Sequence, residues 1–142
     1  MVLFRIIALI IVLLCSACSR SETYKTDCSL DKAACTKTSA DNITVSLDAA
    51  PKPPHTMANH RFFVELKKDG APMADAEVTL DFTMPGMYMG INRLKMNNAG
   101  KGRYGAEWVI PPCPAGKKVW IAAVYIERQG GISQTEFSFE VR

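Results

Sequence analysis

From Asn42 onward the apolar residues of this chain recur at every second position, and that period confines them to β-strands. Ile43, Val45 and Leu47 alternate with polar neighbours, as do Phe62, Val64 and Leu66, and Val78, Leu80 and Phe82. Leu94 with Met96, Tyr104 with Ala106 and Trp108, and Phe137 with Phe139 and Val141 repeat the pattern. In an extended chain successive side chains point to opposite faces, so each run has one apolar and one polar side. The run Val119 to Ile126 is apolar on both and reads as a central strand covered on both faces. Asp69-Gly70, Asn97-Asn98-Ala99-Gly100, Ala115-Gly116 and Gly130-Gly131 supply turn chemistry between runs. No window of a dozen residues carries a helical 3.6 period. About seven short strands in roughly 100 residues indicate an all-β, immunoglobulin-like two-sheet β-sandwich over residues 42–142, with a small barrel as the second architecture.

The start of the chain has a different character. Arg5 is basic, Ile6 to Leu14 are unbroken apolar residues, and Cys15-Ser16-Ala17-Cys18 follow. A spanning helix needs about 20 apolar residues. The shorter run, with small residues after it, is expected to be a signal peptide over residues 1–17. Ser-Ala-Cys resembles the end of a bacterial lipobox, in which Cys18 is acylated and becomes the mature N-terminus. Cys15 stands where such sequences usually carry Leu, and ordinary cleavage after Ala17 is the alternative. Ser19 resembles the sorting signal for the outer membrane. The expected location is therefore the cell envelope, lipid-anchored at the outer membrane and facing the periplasm. Residues 18–41, polar and rich in Ser, Thr, Lys and Asp, read as a tether between anchor and domain.

Export places the remaining cysteines where disulfides persist. Cys28 and Cys35 are separated by six residues and can close a local bridge, whereas Cys113 bridging either would staple the N-terminal segment to the domain. Three thiols cannot all pair, so one stays free, as a candidate ligand or redox group.

The charge balance, 17 basic against 14 acidic residues, shows no arginine cluster or basic stripe, and nucleic acid is not an expected partner. The chain has two histidines, His55 and His60, no G-x-S-x-G elbow and no glycine-rich phosphate loop. The carboxylates alternate along strands as a solvated face does. No enzymatic activity is expected.

The unusual feature is sulfur. Met84-Pro85-Gly86-Met87-Tyr88-Met89 places three thioethers within six residues, directly after an expected strand. Thioethers are soft, uncharged ligands that select Cu(I) over harder divalent ions. His55 and Met57 form a second donor patch on a loop opened by Pro53-Pro54, and Cys113 is a third candidate. Against this, methionine also fills irregular core gaps and packs on aromatic rings.

Four segments, Phe62-Phe63-Val64-Glu65-Leu66, Lys68-Asp69-Gly70-Ala71-Pro72 running on to Val78, Met84-Pro85-Gly86-Met87, and Gly102-Arg103-Tyr104-Gly105-Ala106, resemble the YtkA-like (FixH-like) domain family over roughly residues 60–127. Their order is strand, D-G-x-P turn, strand, methionine–proline segment and a G-x-Y start of a further strand. The resemblance implies an immunoglobulin-like sandwich of the bacterial envelope, associated with copper handling and with assembly of copper-containing respiratory oxidases. It lands on Met84, Pro85 and Met87, and on Gly102 and Tyr104, with the glycine implied to serve a turn and the tyrosine a strand start. Tyr88 stands where many copper-handling relatives carry histidine, and Cys113 departs from the general pattern. The expected function is a lipid-anchored module binding or delivering Cu(I) through Met84, Met87 and Met89, with His55, Met57 and Cys113 as further ligands and copper-handling or respiratory assembly proteins as partners. The rival is a structural adaptor lipoprotein that docks an envelope complex without metal. In that reading the methionine loop is an adaptable apolar contact.

Overall fold

The computed structural model describes residues 24–142, and the expected signal peptide and Cys18 lie outside them. Ten strands build the fold. These are β1 (Cys35–Thr38), β2 (Ile43–Ala50), β3 (Asn59–Lys68), β4 (Ala71–Pro72), β5 (Glu77–Thr83), β6 (Arg93–Lys95), β7 (Asn97–Gly100), β8 (Arg103–Val109), β9 (Val119–Arg128) and β10 (Gly131–Glu140). One sheet runs β1-β2-β3-β8-β7, with β4 beside β3, and the other runs β10-β9-β5-β6; every pairing is antiparallel. The order β2-β3-β8-β7 facing β10-β9-β5 is the A-B-E-D against G-F-C arrangement of immunoglobulin sandwiches.

All seven strands expected from the period of two are present, and their apolar sides face the core. Val45, Leu47 and Ala49 of β2, Phe62, Val64 and Leu66 of β3, and Val78, Leu80 and Phe82 of β5 are buried. So are Trp120, Ala122, Val124 and Ile126 of β9, and Phe137 and Phe139 of β10. Three details differ from expectation. The outward face of β9 is not covered by a further layer: Val119, Ile121 and Tyr125 are half-buried, shielded by neighbouring side chains such as Arg93 over the Tyr125 ring. Asn97–Gly100 is a short bulged edge strand rather than a turn, and the reversal itself falls on Lys101 and Gly102.

The third difference concerns the expected tether. Cys28 and Cys35 form the local disulfide, one of the pairings the sequence left open, but β1 lies within residues 18–41 and Leu30 is fully buried, so the segment is not a plain tether. Asp27 and Cys28 donate backbone N–H groups to the Ser138 carbonyl, and Asp27 Oδ1 accepts the Ser138 N–H at 2.9 Å. Lys37 Nζ reaches Asp27 and the Glu136 carbonyl. The segment therefore lies against the outer edge of β10. Burial alone would raise the Asp27 carboxyl, but its hydrogen bonds from Lys37 and Ser138 hold it below the ordinary value of 3.8. A carboxylate depressed in the folded state stabilises the fold above its unfolded pKa, and that contribution is lost as pH falls through the folded value.

Gly102 has φ +73°, and a Cβ there would lie 2.5 Å from the Leu66 carbonyl and 2.9 Å from the Met73 nitrogen, both backbone atoms. Two residues on, the buried Tyr104 hydroxyl donates to the Met73 carbonyl at 3.0 Å, tying the β4–β5 connection to β8. The glycine and tyrosine implied by the family resemblance thus serve one junction.

Two outcomes follow from these contacts. Gly102→Ala is expected to cost at least about 2 kcal/mol in urea unfolding, from the left-handed backbone and the backbone clash together. Asp27→Asn is expected to lower the unfolding free energy from urea titration at neutral pH by no more than about 1 kcal/mol, because the pair is exposed. The gap to the unaltered protein should close as pH is taken below about 3.8; a gap unchanged in acid would show that the carboxylate is not what holds the segment.

Candidate functional site

The methionine segment is a folded turn. Met87 donates its N–H to the Met84 carbonyl at 3.2 Å, with Pro85 and Gly86 between them and Gly86 at φ +65°. Proline then glycine with positive φ is the sequence that a type II turn requires. The loop returns to β6 through Asn92: its Nδ2 donates to the Met89 carbonyl at 3.0 Å, and its own carbonyl accepts the Phe82 N–H.

This geometry separates the three thioethers. Met84 is 3% exposed and belongs to the core, whereas Met87 and Met89 are half-buried and alternate with Tyr88, which is 84% exposed. Met87 and Met89 share the wall of a cavity of about 350 Å3 at the loop. A larger groove of about 590 Å3 lies elsewhere, over Phe63 and Gly105 on the outer face of the first sheet; its lining contains no sulfur or imidazole.

Thr83 pairs with Ile121, Asn59 with Val109, and Ala50 with Arg61, so loops 51–58, 84–92 and 110–118 leave the sandwich at one end. The ends of β5 and β8 are locked by stacking of Phe82 on Trp108, with centroids 4.1 Å apart and planes 9° apart. From those ends the chain carries Met87 and Cys113 toward each other, and Cys113 Sγ lies 3.5 Å from Met87 Sδ. Cys113 is half-buried and is the free cysteine among the described residues. Lys117 Nζ, on the same loop, donates to the Pro85 carbonyl.

The other expected ligands are placed less tightly. His55 is exposed, and Met57, at φ +61°, is 71% exposed. Met57 donates its N–H to the Ile110 carbonyl at 2.8 Å, which fixes its loop against the segment leading to Cys113. His60 is fully buried, and its Nε2 lies 3.1 Å from both the main-chain nitrogen and the carbonyl of His55. It acts as a clamp on loop 51–58; its Nδ1 has no hydrogen-bond partner. Among the described residues no group of three or more His, Cys, Asp or Glu gathers as a hard or borderline metal site. The donors brought together here are sulfur.

Sequence reasoning named both Met87 and Cys113 as candidate ligands but not the direct contact between them. A metal–sulfur bond is about 2.3 Å, so an ion held by two sulfurs 3.5 Å apart subtends about 100°, a bent pair with room for a third donor. A linear pair would need about 4.6 Å between sulfurs. Thiolate with thioether is a soft set of the kind that selects Cu(I).

The roles of the methionines separate in a stability measurement. Met84→Ala should cost about 2–4 kcal/mol in urea unfolding by opening a core cavity. Met87→Ala, half-exposed, should cost about 1 kcal/mol or less. Equal costs would remove the distinction between a core and a presented thioether.

Comparison with known proteins adds one finding: a family model described as YtkA-like matches residues 37–112, more than half of the chain. The matched segment runs from β1 through the methionine loop and stops one residue before Cys113. No curated protein and no solved structure matches.

Proposed function

The chain belongs to the YtkA-like family, and on that premise we propose that it is a lipid-anchored binding module of the bacterial envelope that carries Cu(I) as cargo. The observation that supports this reading is the contact of Cys113 Sγ with Met87 Sδ at 3.5 Å, at the end of the sandwich that also carries Met89, Met57 and His55. Cys113 as thiolate and Met87 as thioether hold the ion, and Met89 on the same cavity wall is the nearest further donor on the loop. Met84 supports the turn from below rather than ligating. Release is ligand exchange with a copper-handling or respiratory assembly protein; no covalent bond of a substrate is made or broken. Anchoring through Cys18 holds the module at the outer membrane, facing the periplasm.

The second reading, an adaptor that docks an envelope complex without metal, draws on the exposure of Tyr88 and Ile91 on the same loop.

A Cu(I) competition titration of purified residues 19–142, anaerobic and under reductant against a colorimetric chelator, separates the two. One ion bound more tightly than about micromolar is expected, with at least about a hundredfold weakening in the Met87→Leu, Cys113→Ser double variant. Undiminished affinity in that variant would move the site elsewhere. Absence of binding by the folded protein would favour the adaptor.

A further inference from the structure

Seven large apolar side chains are exposed among the described residues, and four of them, Met57, Tyr88, Ile91 and Val109, stand at the end of the sandwich where loops 51–58, 84–92 and 110–118 meet. Tyr88 and Ile91 are the most exposed of the seven, at 84% and 87%. The same three loops contain none of the chain's 14 carboxylates. They contain Lys52, Lys117 and Lys118, and of these only Lys52 has a salt-bridge partner, Asp48. Carboxylates nearby are engaged too, Asp81 in β5 by Arg93 and Asp31 in the turn before β1 by Arg142, leaving Glu140 at the end of β10 unpaired. Contacts join the loops into one surface, through Met57 to Ile110, Cys113 to Met87, and Lys117 to Pro85.

We propose that this end of the sandwich is a membrane-docking face, on which Tyr88 and Ile91 enter the interface of an anionic phospholipid layer while Lys117 and Lys118 meet its headgroups. A tyrosine suits that position because its ring is apolar and its hydroxyl stays at the polar boundary. Each basic residue near an anionic surface favours association about fivefold, and loops without carboxylates limit the opposing repulsion to the unpaired Glu140. The shape favours lipid over a folded protein partner: the apolar groups protrude singly from a loop tip, which a fluid interface accommodates without a matching pocket. No helix of the described residues is long and apolar enough to span a bilayer, so docking of this kind is peripheral. The inference requires no metal and stands apart from the copper reading.

Peptide-resolved hydrogen–deuterium exchange of the full chain in vesicles tests it. The vesicles are phosphatidylcholine alone, or phosphatidylcholine with roughly one third phosphatidylglycerol. Loops 84–92 and 110–118 should exchange about tenfold more slowly in the anionic vesicles, with turns 69–70 and 129–130 at the far end unchanged. The protection should be lost in Lys117→Glu with Lys118→Glu, and separately in Tyr88→Ser with Ile91→Ser. Unaltered exchange of the far-end turns in those variants shows that the sandwich is intact. Equal exchange of the loops in both vesicle types, or protection that appears only when a protein partner is added, overturns the proposal. Cu(I) affinity measured on Lys118→Glu alone, whose side chain makes none of the loop contacts above, reports on the metal reading separately.

Discussion

The stacking of Phe82 on Trp108 across the two sheets is the contact on which the functional end depends. Phe82 ends the buried run of β5 and Trp108 the inward run of β8, and the rings lie 4.1 Å apart. Phe62 packs on both, at 4.7 Å and 6.2 Å, and Trp120 meets Trp108 edge-on at 5.5 Å. Aromatic pairs of this kind add about 0.5–1.5 kcal/mol beyond the area they bury. Their larger effect is positional, because close-packed interiors admit little sliding. With β5 and β8 fixed relative to each other just before the chain leaves the core, the turn carrying Met87 and the loop carrying Cys113 start from fixed points. A sulfur–sulfur approach between residues 26 apart in sequence then needs no further device beyond the type II turn and the Lys117 bond.

How much of this was legible in the sequence follows from which interactions are local. The period of two marks strands because pleating alone sets it, and every strand expected on that ground is present. Met84-Pro85-Gly86-Met87 is a turn for equally local reasons. Asn97–Gly100 misleads, since Asn and Gly favour turns, yet here they sit in a bulged edge strand that tolerates them. Residues 24–41 show little apolar periodicity because their order comes from a disulfide, one buried leucine, polar contacts to β10 and a four-residue edge strand of Cys, Thr and Lys, which leaves too short a repeat to read. The Met87–Cys113 pair was hidden for another reason. Seeing it requires knowing that the end of β5 and the start of β9 are paired neighbours, Thr83 against Ile121, which is a property of topology. The same knowledge takes Met84 out of the presented donors, because strand alternation carried one step past Thr83 turns its side chain inward.

Charge is distributed in a way that keeps the two sheet faces apart from that end. Arg61–Glu107, Arg93–Asp81, Lys95–Glu77, Arg103–Glu65 and Arg128–Asp75 link neighbouring elements on outer surfaces. Exposed pairs of this kind contribute about 0–1 kcal/mol each, so their effect on stability is small. They do neutralise the faces locally, and Lys117 and Lys118 at the sulfur end remain outside this pattern.

The N-terminal segment solves a different problem of the fold. A two-sheet sandwich leaves four edges, and an exposed long edge invites pairing with another chain. Here β6 and β7 are three and four residues long, and β1 has four, which leaves the ten-residue β10 as the vulnerable edge. Residues 27 and 28 occupy the outward N–H and carbonyl of Ser138, and Lys37 occupies the carbonyl of Glu136. The Cys28–Cys35 bridge ties this covering to β1 in the opposite sheet, so one covalent link closes the side of the sandwich as well as the loop. Closing a loop of this length removes about 2 kcal/mol of chain entropy from the unfolded state. The side of the molecule is thereby sealed, and its open chemistry, the half-buried thiol and the presented thioethers, is confined to the loop end, where packing of the aromatic core sets its geometry.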